Sequence, residues 1–117
     1  MKLWMRYLRC ALIIAPCSLY ATGAYAAADD AKAFALAKQN ACLGCHAVDK
    51  KIVGPSFQSI AKKYAGDSKA TVFLKNKIKR GGSGSWGVVP MPANAKLSEA
   101  DLNAITSWIL RGAPTPS

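Results

Sequence analysis

The segment of this chain whose residue types and spacing most clearly indicate chemistry is Cys42-Leu43-Gly44-Cys45-His46. Two cysteines separated by two residues and followed at once by a histidine are typical of a site where c-type haem is attached. The two thiols are spaced about one helical turn apart, so both can reach the vinyl groups of one haem and form thioethers. His46 follows directly and can present its imidazole to the iron. The motif therefore predicts one covalently bound haem c.

Three other kinds of site use the same residue types. A thioredoxin-like redox motif is expected beside a βαβ unit, and no segment of this chain alternates as a strand does. A zinc site needs about four ligands, and only Cys42, Cys45 and His46 remain once the amino-terminal segment described below is removed. A plain disulfide would leave the adjacent single histidine without a role. Haem attachment accounts for all three residues.

If His46 is one axial ligand of the iron, the other position has one clear candidate. The chain has a single histidine, and Met91 is the only methionine after residue 26. Met91 lies between Pro90 and Pro92, whose restricted backbone would hold the sulfur in place. A lysine amine is the other available ligand, and a lone methionine can instead fill a gap in the core. Ligation by His46 and Met91 would raise the haem potential.

Residues 1–26 are typical of a secretory signal peptide. A basic start is followed by an apolar run of about eleven residues, whereas a membrane-spanning helix needs about 20. Ala24-Tyr25-Ala26 is a small-x-small cleavage site. The alternatives are a membrane anchor or a lipoprotein acylated at Cys17. The sequence predicts a cleaved signal at 1–26, a single domain at 27–117, and export, in bacterial terms to the periplasm.

Composition and charge limit the classes of function. The chain has 117 residues, 51% hydrophobic and 19% charged, a balance that excludes a disordered protein. Lys+Arg number 16 against Asp+Glu 6, a formal charge of +10. Removing residues 1–26 takes away three basic and no acidic residues and leaves +7. A positive excess favours acidic protein partners and salt-dependent docking.

Other partners are less favoured by the sequence. Nucleic acid is not expected, because the protein is predicted to be exported and has no base-reading motif. Contact with an anionic membrane surface is expected to be weak at most. We expect a monomer whose small core depends on its cofactor, because small exported domains usually add a disulfide, a metal or a cofactor.

Hydrophobic periodicity and capping residues predict an all-α domain of about four helices. The predicted helices span about 29–40, 57–64, 67–80 and 98–111. Asp29 and Asp30 would occupy the first turn of the first helix, and Asp67 or Ser68 would cap the third. Ser98, with Asp101 three residues later, would cap the last. Four glycines within residues 81–87 predict a loop.

The expected core follows from the apolar faces of these helices. The first helix would bury one alanine-rich stripe that includes Phe34, and the third would bury Leu74 and Ile78, with Val72 and Phe73 adding bulk. The remaining members of the predicted core are Ala37, Ala41, Phe57, Ile60, Ala61, Tyr64, Leu102, Ile105, Trp108 and Ile109.

With these residues in hand, the chain resembles a class I cytochrome c, more narrowly the short bacterial cytochrome c-551 type. The resemblance covers about residues 34–110 and goes beyond the cysteine motif. The further segments that carry it are Val53-Gly54-Pro55, Lys63-Tyr64-Ala65-Gly66, Ile78-Lys79, Trp86-Gly87, Pro90-Met91-Pro92 with Asn94, and Trp108. It implies a small fold of about four helices wrapped around one covalently bound haem c.

The resemblance also implies roles for residues around the haem. Cys42 and Cys45 would form the thioethers, and His46 and Met91 would be the axial ligands. Pro55 would offer its carbonyl to the His46 ring N–H.

Further roles come from the same resemblance. Asn94 would hydrogen-bond near the Met91 sulfur, and Trp86 would donate its indole N–H to a haem propionate. Phe34 and Trp108 would meet where the first and last helices cross. Lys77 stands where relatives commonly have an arginine on the propionate side, and a lysine is a point charge rather than a bidentate fork.

The function implied is a one-electron shuttle, not an enzyme, working between a membrane quinol-oxidising complex and a terminal reductase or oxidase. Its docking face would be a small apolar patch around the exposed haem edge, with lysines at the rim. The residues expected there are Gly44, Ile52, Val53, Val88, Val89 and Pro92. The alternative is a haem enzyme or small-ligand binder, which would need an open or labile sixth position on the iron.

Overall fold

The computed structural model describes residues 22–116, and helices make up its regular structure in that range. They are α1 (Thr22–Gln39), a 3-10 helix (Cys42–Gly44), α2 (Phe57–Lys63), α3 (Ala70–Arg80) and α4 (Glu99–Leu110). Between residues 22 and 116, β-type pairing is limited to two isolated bridges, His46 with Lys51 and Gly82 with Met91. The prediction of an all-α domain is confirmed. The predicted signal peptide falls mainly on residues 1–21, outside the described residues, and its cleavage stays a prediction.

Helix α1 begins seven residues earlier than the sequence predicts. It starts at Thr22 rather than near Asp29, because the segment before Asp29 is rich in alanine, the strongest helix former. Asp29 and Asp30 therefore do not lie in the first turn. The prediction that Ala41 shares the buried face is also wrong, because Ala41 follows the helix with φ 58° and is exposed. The stripe that packs inward consists of Ala33 and Ala37, both fully buried.

Helix α4 is the packing centre of the described fold, since α1, α2 and α3 each contact it. It begins as predicted, with the Ser98 hydroxyl accepting a hydrogen bond from the Asp101 amide at 3.1 Å. Its inward face is buried as predicted at Leu102, Ile105, Trp108 and Ile109. Burying large apolar side chains on one helix gives the other three a common surface to pack on.

Helices α2 and α3 contribute shorter buried stripes. The Ser56 hydroxyl caps α2 by accepting from the Ser59 amide at 3.0 Å. The predicted cap of α3 is wrong: the N-cap residue is Lys69, and Asp67 instead accepts from the Lys69 amide at 2.8 Å in the turn before the helix. Asp67 thus closes a local turn, a frequent role for aspartate.

The apolar residues of α3 divide between the core and the surface. Leu74 and Ile78 are buried as predicted. Val72 and Phe73 were expected to add bulk to the core, but they are 64% and 39% exposed. Neither residue lies three or four positions from Leu74 or Ile78 on the inward side, so neither shares their stripe, and the Phe73 ring packs instead on that of Tyr64, with centroids 5.3 Å apart.

Ion pairs join the helices at the surface. Arg111, just after α4, pairs with Asp30 of α1. Glu99 at the start of α4 pairs with Lys75 at 2.7 Å and with Lys79 at 3.1 Å, both on α3. Hydrogen bonds from Lys75 and then Lys79 lower the pKa of Glu99 below its ordinary value.

None of the helices within residues 22–116 combines the length and the apolar character needed to cross a membrane.

Candidate haem site

The cysteine motif folds as a tight turn at the end of α1. Ala41 adopts a left-handed conformation, and the 3-10 helix Cys42–Gly44 follows. The backbone amides of Cys45 and His46 both donate to the Cys42 carbonyl, at 3.2 and 2.9 Å. Both cysteines are partly buried free thiols that form no disulfide with each other. The turn therefore holds two thiols and one imidazole close together on one short stretch of backbone.

The electrostatics of Cys42 differ from those of a reactive redox thiol. Burial raises the pKa of the Cys42 thiol above its ordinary value, and repulsion from Cys45 adds to the effect, while a hydrogen bond with its own backbone opposes it. Reactive Cys-x-x-Cys pairs work through a lowered pKa. A group of three or more histidine, cysteine or acidic residues suited to a metal ion is also missing from residues 22–116. The raised pKa of Cys42 is thus opposite in direction to that of a thioredoxin-like nucleophile.

The His46 imidazole is held in one orientation. It is 8% exposed, and its Nδ1 lies 2.7 Å from the Pro55 carbonyl oxygen. A carbonyl oxygen only accepts, so Nδ1 carries the proton and donates, and Nε2 keeps its lone pair for a metal. Gly54 packs directly on the ring, because a Cβ built there would lie 2.6 Å from Cε1 of His46. Only glycine leaves room for the imidazole at this point.

A run of aromatic contacts supports the back of the imidazole. The rings of His46 and Phe57 are stacked, with centroids 5.3 Å apart. Phe57 meets Trp108 edge-on at 5.0 Å. Trp108 meets Phe34 edge-on at 6.0 Å, which is the contact predicted between the first and last helices. The Trp108 indole N–H donates to the Pro114 carbonyl at 2.9 Å, so this buried polar group is satisfied.

Met91 is held by the glycine-rich loop, which we define as residues 81–87. The Gly82 amide donates to the Met91 carbonyl at 2.9 Å, and the Met91 amide donates to the Gly82 carbonyl at 3.0 Å. Gly81 has φ 68° and ψ −150°, a conformation open essentially to glycine alone. A Cβ at Gly81 would lie 2.3 Å from the Met91 carbonyl oxygen. Sequence analysis predicted a loop from these glycines but did not predict that the loop would pair with Met91.

One cleft of about 260 Å³ brings the predicted ligands together. Cys42, Cys45 and His46 line it along with Met91. Apolar side chains from three helices also line it, among them Phe57, Ile60, Leu74, Ile78, Ile105 and Ile109. Two thiols, an imidazole with a free Nε2, a thioether and an apolar wall are the donor set and surroundings that a covalently bound haem requires. The residues present therefore fit the group that the motif predicts.

Of the other predicted site residues, some line this cleft and one does not. Trp86 and Lys77 line it, and Trp86 is 44% exposed. Asn94 is not among its lining residues. The Asn94 amide donates to the Ile78 carbonyl at 2.9 Å, and its side chain forms no hydrogen bond within the described part of the chain. The backbone of Asn94 thus fastens the segment after Met91 to α3.

Comparison with known proteins bears on these observations. Residues 31–113 match the sequence model of the family described as Cytochrome c.

The chain belongs to the cytochrome c family.

Individual relatives place it more narrowly in that family. It is 51% identical over 75 residues to cytochrome c-552 of Nitrosomonas europaea, covering 64% of this chain and 73% of that protein. It is 39% identical over 98 residues to cytochrome c-551 of Pseudomonas aeruginosa, covering 84% and 89%. The predicted resemblance to a class I cytochrome c of the c-551 type is confirmed.

Solved structures agree with the fold. The crystal structure of wild-type Nitrosomonas europaea cytochrome c552 matches with a TM-score of 0.65 and 48% identity, over 68% of this chain and 98% of that one. The class 1 cytochrome MtoD from Sideroxydans lithotrophicus matches with a TM-score of 0.61 and 30% identity, over 70% and 94%. The small class I cytochrome c fold is confirmed.

Family membership settles the cofactor predicted from the motif. This cytochrome c attaches one haem c covalently through Cys42 and Cys45. The sequence has a single Cys-x-x-Cys-His segment, so the protein is a single-haem electron carrier.

Proposed function

We propose that this cytochrome is a periplasmic one-electron shuttle whose haem iron is bound axially by His46 and Met91. The observation that carries the proposal is that the imidazole and the methionine line the same cleft. The hydrogen bond from His46 Nδ1 to Pro55 supports it, because that bond leaves Nε2 free and fixes the ring. When bound, the haem supplies an iron that alternates between Fe(III) and Fe(II).

The remaining residues of the cleft favour electron transfer over catalysis. The apolar side chains exclude water, which limits solvent reorganisation around the iron. The lining residues within 22–116 include no aspartate or glutamate, so the cleft supplies no carboxylate for general acid or base work. With Met91 as a ligand, the chain itself fills the position that a substrate would need. We therefore propose a carrier and not an enzyme.

Three residues in or beside the cleft have proposed roles that follow from the family. Trp86 would donate its indole N–H to a propionate, with Lys77 supplying a nearby positive charge; both residues line the cleft. Asn94 would hydrogen-bond near the Met91 sulfur. The side chain of Asn94 is free to do so, since only its backbone is used in holding the segment to α3.

The first test is a potentiometric titration of the matured holoprotein followed by visible absorption. We expect one single-electron wave at positive potential and a low-spin spectrum in both oxidation states. A low or negative potential with high-spin character would contradict ligation by Met91. That outcome, or binding of carbon monoxide by the reduced protein, would favour a haem enzyme or small-ligand binder instead.

The proposed docking face is the apolar patch Gly44, Ile52, Val53, Val88, Val89 and Pro92. Its large members are exposed, with Val88 at 91% and Val89 at 64%. Val53, Val89 and Pro92 also line the cleft, so the patch borders the haem site. Exposed aliphatic side chains next to a redox centre suit brief contact with a partner, and surrounding lysines would attract an acidic one.

A pair of matched substitutions tests this face. Val88→Asp and Asn103→Asp add the same charge, but Asn103 lies on α4 and does not line the cleft. Electron transfer to an acidic redox protein should be slowed more by Val88→Asp than by Asn103→Asp. Equal slowing would mean that overall charge, and not the patch, controls the encounter.

Salt dependence tests the electrostatic part separately. The formal charge of +10, or +7 without residues 1–26, should attract an anionic reagent such as hexacyanoferrate and repel a cationic cobalt complex. Added salt should slow the reaction with the first and speed the reaction with the second. Salt-independent rates with both reagents would contradict the electrostatic proposal.

The place in respiration is proposed from the family. The donor would be a membrane quinol-oxidising complex, and the acceptor would be a terminal reductase or oxidase. The carrier would be a monomer. It would bind membrane surfaces weakly at most and would not bind nucleic acid. Mass spectrometry of the exported protein should show an amino terminus at Ala27, Ala28 or Asp29, after cleavage within residues 26–28, and the added mass of one haem. Retention of residues 1–26 would contradict the periplasmic shuttle in its freely diffusing form.

A further inference from the structure

The outer part of the glycine-rich loop has few bonds of its own. Gly82, Gly84 and Gly87 all have positive φ. The pairing of Gly82 with Met91 fastens the base of the loop, and further out the Gly84 amide donates to the Gly87 carbonyl at 2.8 Å. A segment rich in glycine loses much conformational entropy when ordered. Contacts from outside the loop are therefore needed to hold its outer part in one conformation.

Lys63, the last residue of α2, makes such contacts. Its ammonium Nζ donates to the Ser85 carbonyl at 2.6 Å. The same Nζ lies 4.3 Å from the centroid of the Trp86 ring and 5.6 Å from that of Tyr64. One cation thus forms a charge-assisted hydrogen bond and a cation–π contact with two consecutive residues of the loop.

Tyr64, which lies under the Lys63 ammonium, is itself packed between α2 and α3. Its ring packs on Phe73 of α3 with centroids 5.3 Å apart, and its amide donates to the Ile60 carbonyl at 3.1 Å. Burial raises the pKa of the Tyr64 hydroxyl, the nearby Asp67 adds to the effect, and a hydrogen bond with Ser85 opposes it. The Tyr64 ring is therefore packed against α3 and lies next to the Lys63 ammonium.

We propose that Lys63 is a positioning residue that fixes Ser85 and Trp86, and with them the outer part of the glycine-rich loop, at the edge of the haem cleft. The ammonium lies over one face of the indole, so it also draws electron density from that ring and makes the indole N–H a stronger donor. This second effect rests on the proposed contact of Trp86 with a propionate. The positioning of Ser85 and Trp86 by Lys63 does not depend on that contact.

Three variants of the holoprotein test the proposal. Lys63→Met keeps most of the aliphatic chain and removes the cation. Lys63→Arg keeps the charge and can still stack on the indole. Lys62→Met is the matched control, because it removes the same charge from the neighbouring exposed lysine, for which the structure gives no contact with the loop.

The main measurement is amide hydrogen exchange of Gly84, whose hydrogen bond to Gly87 reports the outer part of the loop. We expect Lys63→Met to exchange about tenfold faster at Gly84 than wild type, with Lys62→Met and Lys63→Arg close to wild type. The amide of Leu102 in the core should keep its wild-type rate. Equal rates in Lys63→Met and Lys62→Met would overturn the proposal, as would equal acceleration at Gly84 and Leu102.

Two further readouts separate this proposal from that of the axial ligands. The NMR resonance of the Trp86 indole N–H should shift in Lys63→Met and return toward its wild-type position in Lys63→Arg. An unshifted indole resonance would overturn the contact with Trp86. The second readout is the absorption band that a thioether bound to ferric haem gives in the wild-type protein. Absence of this band would contradict ligation by Met91. It would not affect the positioning role of Lys63, which is tested by the difference in amide exchange between the lysine variants.

Discussion

The backbones of Gly82 and Met91 exchange two hydrogen bonds, at 2.9 and 3.0 Å, across eight intervening residues. This isolated bridge fixes the main chain of the methionine to the end of α3 through Gly81. The prolines on either side of Met91 restrict its backbone angles, but they do not determine where the segment lies. The position of the sulfur is therefore set by the glycines as much as by the prolines.

Gly81→Ala should disturb Met91 without touching its side chain. The alanine would have to adopt φ 68° and ψ −150°, and its Cβ would lie 2.3 Å from the Met91 carbonyl oxygen. We expect a loss of about 1–3 kcal/mol in the free energy of unfolding and a weaker absorption band from thioether bound to ferric haem. Denaturant titration and visible absorption of the holoprotein measure the two effects.

Gly84→Ala is the matched control for that substitution. Gly84 also has a positive φ of 99°, but a Cβ there would meet nothing within 4 Å. It should lose some stability through backbone strain and keep the thioether band. If both variants keep the band at full strength, the Gly82–Met91 bridge does not position the ligand.

Met91→Ala should open the sixth position of the haem iron. We expect the reduction potential to fall, because thioether ligation raises it, and the reduced protein to bind carbon monoxide. Val88→Ala, on the same segment but 91% exposed and not among the residues that line the cleft, is the control and should keep the wild-type potential. A spectrum of Met91→Ala that matches wild type would show that another group, such as a lysine amine, is the ligand.

Local signals in the sequence were sufficient to predict α4 and the cofactor. Ser98 and Asp101 lie within one turn and cap the helix directly, and Pro114 forbids its continuation, so both ends of α4 are encoded next to where they occur. The cysteine motif is equally local. Its residues are consecutive, and the chemistry follows from their order.

Features that depend on distant residues could not be read in the same way. The start of α1 is a local exception, because the alanines before Asp29 continue the helix and Asp29 does not mark its first turn. Lys63 and Ser85 are 22 positions apart, and no spacing rule connects a lysine with a carbonyl in a loop. The exposure of Val72 and Phe73 depends on how α3 rotates against α4. Such relationships exist only once the helices have packed.

Replacing both haem-attaching cysteines should leave the apoprotein largely unfolded. In Cys42→Ala/Cys45→Ala the apolar cleft would have no haem to fill it, and stabilisation by the bound cofactor would be lost. Circular dichroism should show much reduced helical content. Cys10→Ala/Cys17→Ala is the control and should yield unchanged holoprotein if residues 1–26 are removed. Native-like helical content in the haem-free double variant would contradict the prediction.

Trp108→Phe should weaken the core behind the imidazole. The indole N–H donates to the Pro114 carbonyl at 2.9 Å, and the side chain is fully buried. Loss of this buried bond costs about 1–3 kcal/mol, measured by denaturant titration of the holoprotein. Trp86→Phe makes the same change at a 44% exposed position and should cost less. A larger loss at Trp86 than at Trp108 would contradict the assigned packing.

Glu99→Gln should reduce stability in a pH-dependent way. Lys75 and Lys79 lower the pKa of Glu99 in the folded state, so the stabilisation is present above the ordinary carboxyl pKa and is lost as the pH falls through the lowered value. The thermal midpoint of Glu99→Gln should lie below that of wild type at neutral pH, and the two should converge in acid. Asp49→Asn, at an exposed carboxylate without an ion pair among residues 22–116, should show no such convergence. A gap that persists in acid would exclude the ion pairs as its cause.

The central position of α4 has a consequence for how the protein is made. Helices α1, α2 and α3 all pack on α4, and α4 is the last of the described helices along the chain. Until it arrives, the earlier helices have no common surface, and the cysteines remain on an open chain. The attachment enzymes of the cell can therefore meet an accessible Cys-x-x-Cys-His segment before folding closes it, and the completed domain should then melt as one cooperative unit rather than helix by helix.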